Sequence, residues 1–199
     1  MKYTQKTYLD KMVLIGIMGK KQHGKDTIAD HLIEKHGFVK YSFAGPLKES
    51  TKILFGMTDE QVYGDEKEVV DPMWKVTPRK ILQFVGTELY RDHMHELIED
   101  IGDNFWVQLM INYYLKKIEE DPEFKLVVPD ARFLNEVNAV HKLGGTMIKV
   151  IRPGYDDAAE THASEIAMES ITEYDHLVYN DSDIPNLYVK VDDLHLIVE

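Results

Sequence analysis

The sequence predicts an α/β protein of three layers, α/β/α, with a central five-stranded, mainly parallel sheet and a helical insertion that binds substrate. Three observations carry this expectation. Short Val-, Ile-, Phe- and Tyr-rich runs alternate with longer stretches of helical periodicity. A loop rich in glycine and lysine joins the first such run to the first helical stretch. The alternation then breaks between 56 and 124, where two long helical patterns follow each other with no strand between them.

The first strand is expected at 12–17, from Met12-Val13-Leu14-Ile15-Gly16-Ile17, and the helix at 25–36 follows from the spacing of Ile28, Ala29, Leu32 and Ile33. A second strand at 38–43 is stopped by Gly45-Pro46, which opens a helix at 46–55. Thr77-Pro78 is a start signal for a helix over 78–100, since Thr can cap and Pro is pre-set for the first helical position. Ile81, Val85 and Leu89 share one face of it, with Leu82 alongside. Trp106, Leu109, Met110 and Tyr113 form a similar stripe on a helix over 104–120. Strands at 125–129, 146–151 and 176–179 and helices at 134–143 and 184–196 complete the pattern, although Leu187-Tyr188-Val189-Lys190-Val191 reads equally well as a strand. There is no internal repeat. The whole chain, 1–199, is expected to be one domain in which 56–124 forms a lobe over the carboxyl edge of the sheet, where open α/β sheets bind ligands.

Composition excludes several classes of function. A net charge of −12 argues against a nucleic-acid polymer or a membrane surface as partner, though not against a small anionic substrate. The absence of cysteine removes disulfides, thiolate zinc sites and a cysteine nucleophile. With no signal-peptide pattern and no membrane-spanning run, the expected location is the cytoplasm. Of 23 basic residues only four are arginines, Arg79, Arg91, Arg132 and Arg152. Arg grips phosphate bidentately and Lys does not, so each arginine calls for a local reading.

Gly19-Lys20-Lys21-Gln22-His23-Gly24-Lys25-Asp26-Thr27 is a phosphate-binding loop in its required strand–loop–helix setting. The glycines let backbone N–H groups turn onto an anion, the helix N-terminus adds partial positive charge, and Lys25 reaches the outer phosphates. Asp26 stands where the general pattern has Ser or Thr, and the hydroxyl comes one residue later, at Thr27.

Four further stretches bear on chemistry. Lys48 falls in the first turn after Gly45-Pro46, where it either meets an anion or is simply solvated. Arg79, Gln83 and Gly86 share a helical face and could line one wall of a pocket, although Gly86 serves tight helix packing equally well and Arg91 pairs more readily with Glu88 or Glu96. Asp130 lies at the tip of a buried strand, where an acid holds Mg²⁺ or orients a nucleophile. Arg132 can reach a phosphate in the same cleft, and Asn135 and Glu136 cap or line the next helix. Arg152-Pro153-Gly154 ends a strand and precedes a polar stretch, so 153–170 suits a lid hinged near Gly154, with His162 and Glu165 on its far side. The remaining histidines give no metal motif; His93 and His95 are two apart and face different ways.

In order, the blocks Gly19–Thr27, Phe43–Lys48, Arg79–Glu88, Val128–Arg132, and Ile151–Gly154 with His162–Glu165 resemble the deoxynucleoside monophosphate kinases of tailed bacteriophages, within the wider nucleoside monophosphate kinase group. The likeness runs from near 12 to about 182, and a non-Ser residue before the loop threonine is normal in that group. The resemblance implies the P-loop nucleoside triphosphate hydrolase-like fold, ATP and Mg²⁺ as cofactors, and transfer of the γ-phosphoryl group to a deoxynucleoside 5′-monophosphate. By the same analogy the 19–27 loop with Lys25 holds the ATP phosphates, and Thr27 and Asp130 serve the metal. Lys48, Arg79 and Arg132 bind the acceptor phosphate, with Gln83, Gly86, Trp106 and Glu136 around the acceptor. Lys25, Asp130, Arg132 and Arg152 carry catalysis, and Arg152 with the 154–165 segment closes over the donor. A homodimer, in a host cytoplasm if phage-encoded, is also implied. The alternatives are a kinase of another phosphorylated small molecule, dephospho-coenzyme A or phosphomevalonate, and a non-catalytic ATP-gated binding protein.

Overall fold

The computed structural model describes residues 13–155, 168 and 170–196. Five strands form one sheet: β1 (Val13–Met18), β2 (Val39–Lys40), β3 (Lys125–Ala131), β4 (Thr146–Ile151) and β5 (His176–Tyr179). Their order is β2-β3-β1-β4-β5 and every pairing is parallel, so the sheet expected to be mainly parallel is parallel throughout the described residues. The helices are α1 (Lys25–His36), α2 (Ala44–Phe55), α3 (Asp59–Val62), α4 (Pro78–Gln83), α5 (Phe105–Glu120), α6 (Leu134–Lys142) and α7 (Ile184–Asp192). Among the described residues no helix is long and apolar enough to cross a membrane. The chain divides into two compact units, Ser42–Met110 and the remainder, and the division falls inside α5.

In the sheet unit, side-chain alternation along β1 sorts the two layers. Ile15 and Ile17, with Val127, Ile148, Val150 and Val178, bury against Ile28, Ala29 and Leu32 of α1 and Leu187 and Val191 of α7. Each such aliphatic side chain contributes roughly 1.5–3 kcal/mol. Gly16 faces the other way, and a Cβ there would stand 2.2 Å from Met147 Sδ and 3.2 Å from Val140 of α6. Helix α1 ends at Gly37 in the left-handed conformation (φ 71°), whose N–H satisfies the carbonyls of Ile33 and Leu32. The segment 187–191 is helical, not extended. Asp183 caps it by accepting from Asn186 N–H at 3.0 Å and Pro185 occupies its first turn, but it ends at Asp192, short of the expected 196.

Two strand boundaries differ from expectation, each for a local reason. The strand expected at 38–43 shortens to Val39–Lys40, because Phe43 is already right-handed and α2 starts at Ala44. Gly45 and Pro46 therefore sit inside the first turn of α2, where Pro lacks only an N–H that would have no intrahelical partner. Lys48 lies one turn further in, past the reach expected for the helix start. Strand β3 continues past 129 to Ala131, with a slip of register: Val128 faces Gly16 and Ala131 faces Met18, leaving Pro129 and Asp130 opposite Ile17 alone. Pro129 has no N–H for the ladder, so the bulge falls there and turns Asp130 out of the regular alternation.

The Ser42–Met110 unit packs Met57, Val62, Ile81 and Val85 with Leu47, Phe55, Val76, Leu82 and Tyr90 around them. Thr77 and Pro78 start α4 as expected, with the Thr77 hydroxyl accepting from Lys80 N–H at 3.3 Å. The single helix expected over 78–100 is not formed. α4 ends at Gln83, the chain winds as a π-helix over Phe84–Asp92, and a 3₁₀ turn covers Met94–Glu96. Gly86 is the physical reason. A Cβ there would stand 2.6 Å from Leu47 Cδ2, and its carbonyl accepts from Trp106 Nε1 at 3.0 Å. The wider winding rotates later residues off the core stripe, which leaves Leu89 exposed although Ile81 and Val85 are buried.

Candidate active site

Because the strands all run parallel, their carboxyl ends share one edge, and the residues that follow them gather there. They are Tyr41 after β2, the 19–24 loop after β1, Asp130 to Arg132 at the end of β3, Arg152 after β4 and Asn180 after β5. The chain leaves β1 toward β2 and β3 and later returns to β4 and β5 on its other side. That reversal makes β1 the topological switch point, where open α/β sheets bind ligands.

The loop has the backbone of an anion nest. Gly19 (φ 152°), Gln22 (φ 62°) and Gly24 (φ 105°) adopt positive φ, which turns successive N–H groups to one side. Neither glycine is replaceable: a Cβ on Gly19 would stand 2.5 Å from Val150 O, and one on Gly24 2.8 Å from Asn180 Nδ2. Helix α1 starts from Gly24 with no side-chain cap, so its first-turn amides and dipole serve an anion. Lys25 is 9% exposed and its ammonium donates to Lys20 O at 2.7 Å, which folds the side chain back over the loop it follows. Lys21, Gln22 and Asp26 are exposed, and Lys20 and Thr27 half-buried. Asp26 accepts from Lys40 Nζ at 2.7 Å, an ion pair with β2 that directs its carboxylate to the lysine.

His23 was grouped with the phosphate-binding residues, but its side chain has a different job. It is 4% exposed, with Nε2 3.1 Å from Tyr155 O, and Nδ1 3.3 Å from Val150 O and 3.4 Å from Arg152 N. Both ring nitrogens thus face backbone groups of the segment that ends β4 and follows it. Asn180 Nδ2 donates to His23 O at 3.1 Å, and Asn180 N–H to Ile151 O at 2.8 Å. Two residues thus bracket the loop onto the ends of β4 and β5. The Asn180 bracket was missed by sequence reasoning; an amide directly after the last strand was its one trace.

Asp130 is half-buried at the bulge. Burial first, then the Asp130 charge and Tyr113, pushes the Tyr41 phenol from the usual 10.0 up to about 12, and the Tyr41 and Tyr113 rings lie 5.1 Å apart. Tyr41 is a second residue that sequence reasoning missed. Arg132 is half-buried next along the chain. Glu136, grouped with acceptor binding, instead works from within the fold. It is 2% exposed, and its Oε2 accepts from Arg132 N–H at 2.7 Å and Phe133 N–H at 3.2 Å. It caps α6 and fixes the backbone that carries Arg132. Asn135 Oδ1 accepts from Glu136 N–H at 3.0 Å.

Arg152 is exposed, its guanidinium 4.6 Å over the Tyr155 ring. Gly154 is left-handed (φ 74°) with nothing within 4 Å of a would-be Cβ. His162 and Glu165 of the expected lid lie outside the described residues.

Within Ser42–Met110 the expected acceptor residues have surface partners of their own. Lys48 lies 4.6 Å over the Tyr63 ring, and burial first, then the hydrogen bond the Tyr63 hydroxyl donates to Glu49, raises that phenol to about 12. Arg79 Nε donates to Glu68, and Gln83 is exposed one turn along the same face. Gly86 and Trp106 are packing groups, which corrects their expected place at the acceptor. The indole is 6% exposed and spent on the Gly86 carbonyl, in contact with Tyr90 and Phe105. His93 pairs with Glu96 at 2.8 Å.

Comparison with known proteins agrees with this geometry. The family model for deoxynucleotide monophosphate kinase matches residues 13–71 and 65–191. A protein of Acanthamoeba polyphaga mimivirus, provisionally assigned as a deoxynucleotide monophosphate kinase, is 40% identical over 183 residues, covering 90% of this chain and 94% of its own. The deoxynucleotide monophosphate kinase of Enterobacteria phage T4 is 26% identical over 246 residues, covering 90% and 97%. Among solved structures, the dephospho-CoA kinase of Campylobacter jejuni superposes with a TM-score of 0.51 at 14% identity, over 91% of this chain and 94% of that one, a likeness of fold. The loop, the all-parallel sheet and these matches together make the chain a member of the deoxynucleotide monophosphate kinase family.

Proposed function

We propose that this protein transfers the γ-phosphoryl group of ATP to the 5′-phosphate of a deoxynucleoside monophosphate. An oxygen of the acceptor phosphate bonds to the γ-phosphorus, the bond from that phosphorus to the β–γ bridging oxygen breaks, and ADP and a deoxynucleoside diphosphate leave. The observation that carries this reading is the anion nest at Gly19–Gly24, closed by Lys25 at the switch point of the sheet. The acceptor phosphate is already an oxyanion nucleophile, so the protein needs no strong base. Its work is to align two anions and neutralise charge on the transferring group.

The 19–27 backbone and Lys25 hold the donor phosphates, and Arg152 reaches the donor from the end of β4. Arg132, held by Glu136, grips the acceptor phosphate, with Lys48, Arg79 and Gln83 of the 56–124 insertion and its approach contributing acceptor contacts. The 153–170 segment is the lid. The Thr27 hydroxyl and the Asp130 carboxylate are hard oxygen donors of the kind Mg²⁺ takes, and they would hold it beside the loop. When bound, Mg²⁺ offsets negative charge on the phosphates. The charge of −12 supports nucleotides rather than a nucleic-acid polymer or a membrane surface as partners. A homodimer in the cytoplasm completes the reading.

A coupled ADP-release assay with ATP and Mg²⁺ tests this, using deoxy- and ribonucleoside monophosphates, dephospho-coenzyme A and phosphomevalonate as acceptors. Turnover should be confined to nucleoside monophosphates and fastest with a deoxy acceptor. Turnover of dephospho-coenzyme A or phosphomevalonate alone would overturn the acceptor assignment, and no acceptor-dependent ADP release would leave only an ATP-gated binding protein. Light scattering coupled to gel filtration checks the dimer.

A further inference from the structure

Away from the phosphate loop, one cluster of side chains among the described residues has the composition of a metal centre. His31 lies midway along α1, His36 is its last residue, and Asp192 is the last residue of α7. His31 Nε2 is 2.9 Å and His36 Nε2 3.2 Å from the same oxygen, Asp192 Oδ1, and the three donor atoms lie within 4.8 Å of one another. Around an ion with bonds of about 2.1 Å, adjacent donors stand roughly 3.0–3.4 Å apart, so the two separations between Asp192 and the imidazoles already suit a shared ion.

The surroundings fit a cation. Two helices end here, and the negative ends of their dipoles converge on the Asp192 carboxylate. That carboxylate accepts from Lys35, and both imidazoles lie within hydrogen-bond distance of it. The His31 ring is held in place by stacking on Tyr188, with centroids 4.1 Å apart and planes 10° from parallel. The His36 ring stands edge-on to it at 89°. The side chains of His36 and Asp192 are each about a quarter exposed, which opens a path for an ion. Two positive groups oppose it: Lys35 Nζ donates to Asp192 Oδ2 at 2.7 Å, and Lys125 Nζ to His36 O at 3.3 Å. Lys35 is half-exposed and uses the other carboxylate oxygen, so it competes by charge and leaves Oδ1 to the histidines.

We propose that His31, His36 and Asp192 bind one borderline divalent transition ion of the Zn²⁺ class, with solvent completing its coordination, and that the ion clamps the end of α1 to the end of α7. Two imidazoles and one carboxylate select such an ion over Mg²⁺ or Ca²⁺, which prefer oxygen ligands. Along the axis of α1, His31 lies six residues and about 9 Å from Lys25, and His36 eleven residues and about 16 Å. The site is therefore separate from the phosphate loop while sharing its helix.

The test uses the full chain, stripped of metal by chelation, without nucleotide or Mg²⁺. Calorimetric titration with Zn²⁺ should show one equivalent bound and a raised Tm, and Co²⁺ should give visible absorption bands. Mg²⁺ at the same concentration should do neither. His36→Gln and Asp192→Asn should each weaken Zn²⁺ binding by more than about tenfold, and His93→Gln with His95→Gln should leave it unchanged. Lys35→Met should bind Zn²⁺ more tightly, because it removes the competing ammonium. A purely structural ion-pair cluster would show no such gain. Absence of stoichiometric Zn²⁺ binding, equal binding by His36→Gln, or weaker binding by Lys35→Met overturns the proposal. His36 is partly exposed, and far-UV circular dichroism of His36→Gln confirms that the fold is kept.

Discussion

The phosphate-loop edge and the Ser42–Met110 unit hold their candidate residues in opposite ways. At the loop, Lys25, His23 and Glu136 are buried and the backbone is bracketed. Lys25 is tied to its own loop, His23 and Asn180 pin that loop to β4 and β5, and buried Glu136 fixes the backbone of Arg132. In Ser42–Met110, Arg79 and Gln83 are exposed on a six-residue helix, Arg79 pairs with the exposed Glu68, and Lys48 lies over the exposed Tyr63 ring. The buried polar contact there, Trp106 to Gly86, serves packing. The difference teaches that the proposed donor side is organised by the fold itself. The proposed acceptor side must exchange surface partners, Glu68 and Tyr63, for an incoming phosphate.

Four substitutions break or sharpen this contrast. Lys25→Ala should lower kcat about 10³-fold with Tm little changed, because the lost charge acts on the transferring group. A drop below tenfold in single-turnover rate would mean that the buried loop is not the organised half. Glu136→Gln should cost about 1–3 kcal/mol by urea denaturation, since a buried carboxylate accepting two backbone N–H bonds is removed. It should also lower kcat through Arg132, and an unchanged unfolding midpoint would remove Glu136 from the bracket. Arg79→Lys should raise the acceptor KM roughly tenfold with kcat nearly kept and stability unmoved, because the exposed pair with Glu68 contributes at most about 1 kcal/mol. An unchanged KM removes Arg79 from the acceptor site. Trp106→Phe should cost about 1–3 kcal/mol, since the buried Gly86 carbonyl loses its donor. A large rise in acceptor KM with stability unchanged would return the indole to the site from which its burial removes it.

What could be read from the sequence was what is encoded locally. Strand β1, the loop and α1 lie in consecutive residues, and each glycine does its work within a few positions of Lys25, so the element and its chemistry are legible together. Pro129 inside an apolar run similarly marks where β3 must bulge. Contacts between distant residues decided the rest. The apolar stripe of 78–100 continues with helical period through Leu89, and nothing nearby announces that Leu47 and Trp106 will crowd Gly86 into a wider turn. Trp106 has the residue type of a base-stacking group, and only its burial shows that it is spent on packing. Glu136 has the three-residue spacing of a reciprocal cap, which was seen as one of two options and settled by its two N–H partners. His31, His36 and Asp192 meet across 156 residues of chain between His36 and Asp192, beyond any motif.

The sheet's two outer strands carry one more consequence. β2 is two residues long, and its Lys40 is paired with Asp26; β5, at the far side, has its Tyr179 carbonyl taken by Lys190 at 2.8 Å. Short length and a lysine at each border leave little open backbone for another chain to template on. A fully parallel, all-apolar sheet centre would otherwise be an aggregation hazard at high expression. Asp26, the residue that departs from the general loop pattern, thus holds the lysine of a border strand and ties the phosphate loop's helix to the rim of the sheet.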